Sequence, residues 1–533
     1  MNKHDYELTI EKLLISSVRN NPKQVISYKG EQAKSYREFN ESVFLMAKGL
    51  VKQGLKPGDR VAVLDVDSMS YMLAYFAVPI AGGVIHTVNI RYSPELIFYT
   101  MKHANDKFIM IRDEFVPLIE KSLPLFDFVE KWIITSDLDK PSRMLPGSIP
   151  FSEIIKDHPG VSLPDLNEDM PATTFYTSGT TGLPKGVIFS HRQIVLHALA
   201  SGIALSSEPL DFKGNDVVMP LVPMFHVHAW GVPYGCVMRG MKYVLPGRYD
   251  FERIPDIMEK EKVTVSLMVP SILYMLISNP KNTEKLKKLH LRIIVGGGAL
   301  PRGLAEKASQ LGIDTVCGYG MSETAPILTI SNFNQDVNQM SPEEKMGFRI
   351  KAGIPAPLVD LRVVDKDFKE VPWDSKSIGE IVVRAPWLTE EYINDPEATL
   401  KLWKNDCLNT GDLAVVDSLG YISIVDREKD AVKSGGEFIP TIILEDAIST
   451  FPGIGEVAVV GRKDEKWGER PVAFISGLKA IDKDAMRNHL MKYVDSGRIA
   501  KFWIPDDYIL VEQFEKTGTG KIDKKPLRAG LSK

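Results

Sequence analysis

The sequence predicts an α/β protein: a large layered N-terminal domain of β-sheets and helices, followed by a small α+β C-terminal domain. Three observations carry this. Apolar β-branched runs alternate with glycine turns and helical segments, the texture changes to short strands and hairpins after Asp412, and 533 residues exceed what one compact core organises. Residues 60–65 form a short β run, and 68–76 follow as a helix. The longest apolar stretch, about residues 72–85, is interrupted by Pro79 and two glycines and falls short of the roughly 20 residues of a bilayer span. It reads as buried core.

Residues 140–171, rich in proline and acidic side chains, read as a surface connection, and 331–351 as another polar excursion. Between them, 263–269 is β-branched and apolar. Residues 291–295 lead into Gly296-Gly297-Gly298, Pro301 opens a helix through Gln310, and 315–317 resume as a strand. Strand, glycine turn, helix, strand is the grammar of an α/β layer, whose ligands collect at the C-terminal ends of strands. Residues 413–416 and 421–425 flank Asp417-Ser418-Leu419-Gly420 as a hairpin. Strands at 457–460, 472–475 and 508–511 and a helix from 483 complete a small domain. The boundary falls where Asp426, Arg427, Glu428, Lys429 and Asp430 follow a β run, dividing the chain into 1–426 and 427–533.

The net charge of −4 supplies no basic footprint for nucleic acid, and the lysines at 281–288 read as a solvated helix face. Cys236, Cys317 and Cys407 are odd in number, far apart and without a C-x-x-C, which argues against a disulfide framework or a zinc site and for a reducing, cytoplasmic setting. Residues 1–20 mix charges into their apolar positions and lack the h-region of a signal peptide. Neither secretion nor stable membrane insertion is expected.

Residues 174–186 crowd hydroxyls, glycines and one lysine into a loop after an apolar run. Gly179, Gly182 and Gly186 permit positive φ and close backbone approach, Thr177, Ser178, Thr180 and Thr181 supply donors, and Lys185 adds a charge. An ATP phosphate tail fits this inventory. Lys185 is followed by Gly186 and not by a metal-binding hydroxyl, so the loop is not the G-x-x-x-x-G-K-[ST] of P-loop NTPases. A solvated turn is the bland alternative.

Gly318-Tyr319-Gly320-Met321-Ser322-Glu323-Thr324 follows a strand and offers an aromatic plane for a base, a carboxylate for Mg²⁺ and hydroxyls for phosphate; a tight turn with a capping serine would use the same residues. Asp412, ending Asn409-Thr410-Gly411-Asp412, is suited to accept hydrogen bonds from ribose, and Arg427 can reach the same sugar. Pro223 to Trp230 is apolar and aromatic, with His226 and His228 at strand spacing and no third ligand for a metal. Lys433-Ser434-Gly435-Gly436-Glu437-Phe438 would let a thin ligand pass close to the backbone. Lys521 follows the glycine-rich Thr517-Gly518-Thr519-Gly520 near the C-terminus, a type of lysine usually solvated.

In this order, the motifs resemble the adenylate-forming superfamily of acyl-CoA synthetases, luciferase-like enzymes and adenylation domains, over nearly the whole chain. Residues 459–462, 467–471 and 501–505 look most like the medium- to long-chain fatty acyl-CoA synthetases. The resemblance implies ATP, Mg²⁺ and coenzyme A as cofactors, a small carboxylic acid as substrate, and two steps: acyl-AMP formation with release of pyrophosphate, then transfer to the CoA thiol. It implies that Gly297, Gly298 and Ala299 run along the adenine, that Thr177 and Glu323 serve the metal, and that Gly318, Tyr319, Gly320, Met321 and Thr324 build the nucleotide turn. His226 becomes a gating or orienting residue, Trp230 and Phe438 line the substrate path, Lys433, Gly435 and Gly436 line the pantetheine tunnel, Lys429 is the hinge, and Lys521 is the mobile catalytic lysine. Many members carry Asp at the hinge, long-chain members often carry Trp in place of Phe438, and the usual Pro-Lys-Thr stands here as Glu515-Lys516-Thr517. Many members dimerise, so the resemblance admits a homodimer. The rival readings are an acyl-AMP ligase loading a carrier protein and a non-catalytic nucleotide-binding regulator.

Overall fold

The computed structural model describes residues 6–177, 183–428, 430–435, 437–516 and 522–531. Two mixed sheets dominate the first four hundred residues. One has seven strands, with Arg60–Leu64, Val84–Thr87 and Phe108–Arg112 parallel at its centre and the antiparallel pair Pro171–Thr177 and Lys185–Ser190 at one edge. The other has nine, with Val265–Met268, Arg292–Val295 and Asp314–Gly320 in parallel register and Ile327–Ile330 returning antiparallel.

Side-chain alternation along these strands fixes the layering. Val61 and Val63 join the central core, while Ala62 and Leu64 face an outer cluster beneath the helix Pro94–Ala104. Ile294 points to the same central core, and Ile293 and Val295 point away, toward the helices Ile254–Glu261, Pro270–Ser278 and Arg302–Gln310. Helices Tyr36–Lys52, Met69–Ile80 and His191–Ala204 therefore fill the space between two sheets, giving helix, sheet, helix, sheet, helix. Both faces of the central parallel strands are covered, which is why those strands read as unbroken apolar runs.

Helix Met69–Ile80 runs through Pro79 and ends four residues past the expected end at 76. The segment is buried on all sides, and packing outweighs the single hydrogen bond that proline removes. The expected polar excursion at 331–351 carries two short helices, Gln335–Asn338 and Pro342–Arg349.

The hairpin at Asp417–Gly420 joins Cys407–Val416 to Ile422–Arg427, within a third sheet of five strands. Beyond it, Val432–Ser434, Glu437–Ile439, Val457–Asp464, Gly468–Ile475 and Asp507–Leu510 form a separate sheet packed against helices Thr441–Ser449 and Lys483–Asp495. The small domain thus has its own core. It meets the third sheet through Ala431, Phe438 and Ile443 packed on Leu413 and Val425.

Close approaches inside this frame reverse simple helix propensity. In helix Tyr36–Lys52, a Cβ added at Gly49 would lie 1.9 Å from the Ile154 carbonyl oxygen; at Gly235, in helix Val232–Arg239, it would meet nothing within 4 Å. Propensity alone favours Ala at both by about 1 kcal/mol. Gly49→Ala is expected to lower the melting temperature and Gly235→Ala to hold or raise it. Differential scanning fluorimetry of the two variants checks this, and equal shifts would refute the packing argument.

Candidate functional site

The site lies where strands of both sheets end. Strand Pro171–Thr177 leads into the glycine- and threonine-rich loop, and strand Lys185–Ser190 brings the chain back with Lys185 paired opposite Thr177. Ser178, Gly179, Thr180, Thr181 and Gly182 lie outside the described residues, so the loop is fixed here by its two ends. Gly186 is required for that closure, because a Cβ there would sit 2.9 Å from the Tyr176 ring and 3.0 Å from Ile393. Tyr176 is held from below by a 2.7 Å hydrogen bond between its hydroxyl and His103 Nδ1.

Across from this loop end, strand Asp314–Gly320 bulges at Tyr319 and Gly320 before the turn that carries Glu323. A Cβ at Gly320 would collide with the Pro326 carbonyl at 1.7 Å, so the turn closes only over glycine. Glu323 is 7% exposed, and burial pushes its carboxyl pKa upward against the hydrogen bond it accepts from the Tyr392 hydroxyl at 2.5 Å. Thr324 is turned inward. Its hydroxyl donates to the Pro326 carbonyl and accepts from the Met321 N–H at 3.1 Å, which corrects the expectation that it faces phosphate. Ser322, half-buried beside Glu323, is the hydroxyl at the turn's surface.

Asp412 and Arg427 stand opposite each other on paired strands, with Arg427 Nε 3.1 Å from Asp412 Oδ1. The Tyr319 hydroxyl donates to Asp412 Oδ2 at 2.7 Å, and burial together with that carboxylate pushes the phenol pKa up. Arg427 also lies within electrostatic reach of Glu323. Tyr319, Glu323, Asp412, Arg427 and the loop ends Thr177 and Lys185 thereby surround one locus. Gly297 and Gly298 follow strand Arg292–Val295 and are exposed with Ala299, and Gly297 adopts φ +73°. The unanticipated partner is Gly296: a Cβ there would lie 2.9 Å from the Trp230 indole and 3.3 Å from the Gly318 carbonyl, which brings Trp230 beside the nucleotide turn.

The histidine segment corrects the sequence reading. It is not a strand: Val227, His228, Ala229 and Trp230 all have φ between +47° and +59°, one left-handed turn closed by Gly231. Such backbone is costly and held by its surroundings. The Asp67 carboxylate accepts from the Met224 N–H at 2.9 Å, and burial raises the Asp67 pKa to about 7. His226, half-buried, precedes the turn, and Arg91 stacks over the neighbouring Phe225 ring at 5.6 Å. His228 is buried among Phe175, Tyr75, Phe189 and Tyr234, with no hydrogen bond to either ring nitrogen.

In the small domain, Gly435 has φ +62°, and its N–H donates to the Trp467 carbonyl at 2.8 Å. The Lys433 ammonium lies 5.1 Å from the Phe438 ring, and Phe438 packs on the cluster behind Asp412. Gly436, Lys429 and Lys521 lie outside the described residues. Two residues that sequence reasoning missed complete the large-domain site, Tyr392 and Asp395. Lys185 Nζ sits 4.9 Å over the Tyr392 ring and 3.9 Å from Asp395 Oδ2. Their only sequence signal is Asp395-Pro396, a helix start.

Among the described residues no group of three or more His, Cys, Asp or Glu could hold a metal ion. One buried carboxylate beside a phosphate-type loop is the donor set that suits Mg²⁺, which takes one or two carboxylates and completes its shell with phosphate oxygens and water. No described helix is long and apolar enough to cross a membrane.

A family profile described as AMP-binding enzyme matches residues 15–393, and one described as AMP-binding enzyme C-terminal domain matches residues 444–521. The chain is 37% identical over 518 residues to a long-chain-fatty-acid–CoA ligase of Thermus thermophilus, covering 95% of this chain and 92% of that one. It is 34% identical over 505 residues to a medium-chain-fatty-acid–CoA ligase of Ectopseudomonas oleovorans, covering 94% and 91%. Its fold matches a crystal structure of an anthranilate CoA ligase in complex with anthranoyl-AMP, with TM-score 0.84 at 20% identity over 99% of this chain and 97% of that one.

His228 yields a test. Burial lowers its pKa to about 3, against an ordinary value near 6.5, so its neutral form supports the fold fully above pH 6.5 and that support is lost as pH falls toward 3. At pH 5 the cost is about 2 kcal/mol for this one ring. His228→Phe is expected to retain stability at pH 7 and to flatten the fall of melting temperature on acidification; an unchanged slope would show that this ring does not carry it.

Proposed function

The chain belongs to the AMP-binding enzymes, and we propose that within them it is an ATP-dependent acyl-CoA synthetase acting on a fatty acid. The observation that carries the reading is the convergence of Lys185, Glu323, Asp412 and Arg427 on one locus at the strand ends.

A carboxylate oxygen of the acid attacks the α-phosphorus of ATP, the bond to the β-phosphate oxygen breaks, and pyrophosphate leaves. The product is a mixed anhydride in which AMP is a good leaving group. The CoA sulfur then attacks the acyl carbon, AMP departs, and the thiol proton passes to solvent. No side-chain nucleophile is needed, so the protein contributes position and charge. Lys185 takes the departing phosphates, Asp412 accepts from the ribose hydroxyls, Arg427 steadies that carboxylate, and Tyr319 lies along the base. Mg²⁺, held by Glu323 and Thr177, would neutralise phosphate charge. His226 and Trp230 border the acyl end, with the left-handed turn presenting them.

Lys521 supplies positive charge between the acid and the α-phosphate, while Lys433, Gly435, Gly436 and Phe438 guide pantetheine. Both groups belong to the small domain, so rotation about Lys429 exchanges one for the other. Acceptance of CoA, and not a holo-carrier protein, completes the proposal. A homodimer and a cytoplasmic location accord with it.

Pyrophosphate release is measured with straight-chain acids from acetate to stearate and with branched and aryl acids. Maximal kcat/KM is expected with a medium- or long-chain fatty acid, and silence across the whole panel would sink the assignment. Lys521→Ala is expected to slow adenylation by at least ~10²-fold while sparing thioester formation from supplied acyl-adenylate. Equal loss in both half-reactions would remove the lysine from its proposed place.

A further inference from the structure

We propose that Tyr392 is a positioning residue of the adenylation site, a single side chain that sets the separation and aim of Lys185 and Glu323. The inference rests on the function proposed above.

Three contacts carry it. The phenol hydroxyl donates to Glu323 Oε1 at 2.5 Å, which fixes the orientation in which the carboxylate would meet a hard cation. The face of the same ring lies 4.9 Å from Lys185 Nζ. The backbone of Tyr392 is clamped on two sides: to the strand that carries the lysine, where Val187 bridges Tyr392 and the Ile393 N–H donates to the Gly186 carbonyl at 2.8 Å, and to helix Pro396–Leu402, where the Tyr392 N–H donates to Thr399 Oγ1 at 2.9 Å.

Asp395 completes the mount. Its Oδ1 caps helix Pro396–Leu402 by accepting from the Ala398 N–H at 3.0 Å, and its Oδ2 lies 3.9 Å from the lysine. A lysine side chain carries about 2 kcal/mol of rotamer entropy, which an unsupported ammonium would lose each time it met phosphate. Held between a ring face and a carboxylate fixed by a helix cap, Lys185 loses much of it on folding. The same ring carries the hydroxyl that orients Glu323, so displacement of one charge displaces the other.

The test uses the full-length protein and two variants. Tyr392→Phe keeps the ring and deletes the hydroxyl; Tyr392→Leu deletes both. ATP binding is measured by titration calorimetry with and without Mg²⁺, alongside pyrophosphate-release kinetics. Tyr392→Phe is expected to bind metal-free ATP as the wild type does, and to lose about tenfold of the affinity that Mg²⁺ adds, the effect of one hydrogen bond to a charged acceptor. Tyr392→Leu is expected to weaken metal-free ATP binding as well. A Phe variant with wild-type Mg²⁺ dependence overturns the inference, as does a folded Leu variant whose metal-free affinity equals that of the Phe variant. If the Leu variant does not fold, the Mg²⁺ dependence of the Phe variant decides. A wild type that binds no ATP defeats the functional reading instead.

Discussion

The pairing of Thr177 with Lys185 is the constraint on which the site depends. Two strands at the edge of a buried sheet run antiparallel there, so the loop between them begins and ends at one point. Whatever the loop holds is therefore referenced to the central core through Phe175, Val187 and Phe189. The pairing tolerates no side chain at Gly186, because Tyr176 and Ile393 already occupy that space. The same closeness brings in the segment bearing Tyr392 and Asp395. The lysine proposed to meet phosphate thus hangs from a strand packed on the central core and not from a free loop, which is what preorganised electrostatics requires.

The rest of the site follows the same rule. Glu323 and Asp412 are buried carboxylates, and a buried charge persists only when hydrogen-bonded or paired. Glu323 has the Tyr392 hydroxyl, while Asp412 has the Tyr319 hydroxyl and the Arg427 guanidinium. Each of these supports comes from a different segment of the chain, so the acidic groups are positioned only when the third sheet, the nucleotide turn and the phosphate-loop strands are all assembled.

Contiguous chemistry was legible in the sequence. The glycine- and threonine-rich loop proposed to hold phosphate, the Gly318–Thr324 turn and the Asp417–Gly420 hairpin each compress their signal into a few residues whose types have a direct physical reading. The layered fold was legible through apolar runs and glycine turns. What escaped depends on contacts between distant segments: Tyr392 is 69 residues from the Glu323 it orients, and Gly296 matters because an indole from another segment lies against it. The histidine segment misled for a related reason. His-x-His has strand spacing, but four successive positive φ values are set by packing, and none of those residues is glycine.

The junction between the two domains is built differently. The Asp426 carboxylate, on the last strand before the small domain, accepts from the Thr441 N–H at 2.6 Å, and burial raises its pKa to about 6. Lys524 donates to Thr441 Oγ1 at 2.8 Å and reaches Glu445 at 2.6 Å. Arg528 holds Asp430 at 2.6 Å, beyond the proposed pivot, so that pair would travel with the small domain while the Asp426 contact would not. Among the described residues, a small apolar cluster around Leu413, Val425 and Ala431 lies in this contact. A junction of a few polar bonds and a small apolar patch costs little to remake, whereas a broad hydrophobic interface would hold one arrangement. In the large domain each buried charge is held by partners from other segments, whereas the described boundary contacts are mostly single polar bonds, and the two-step chemistry proposed for this chain calls for both.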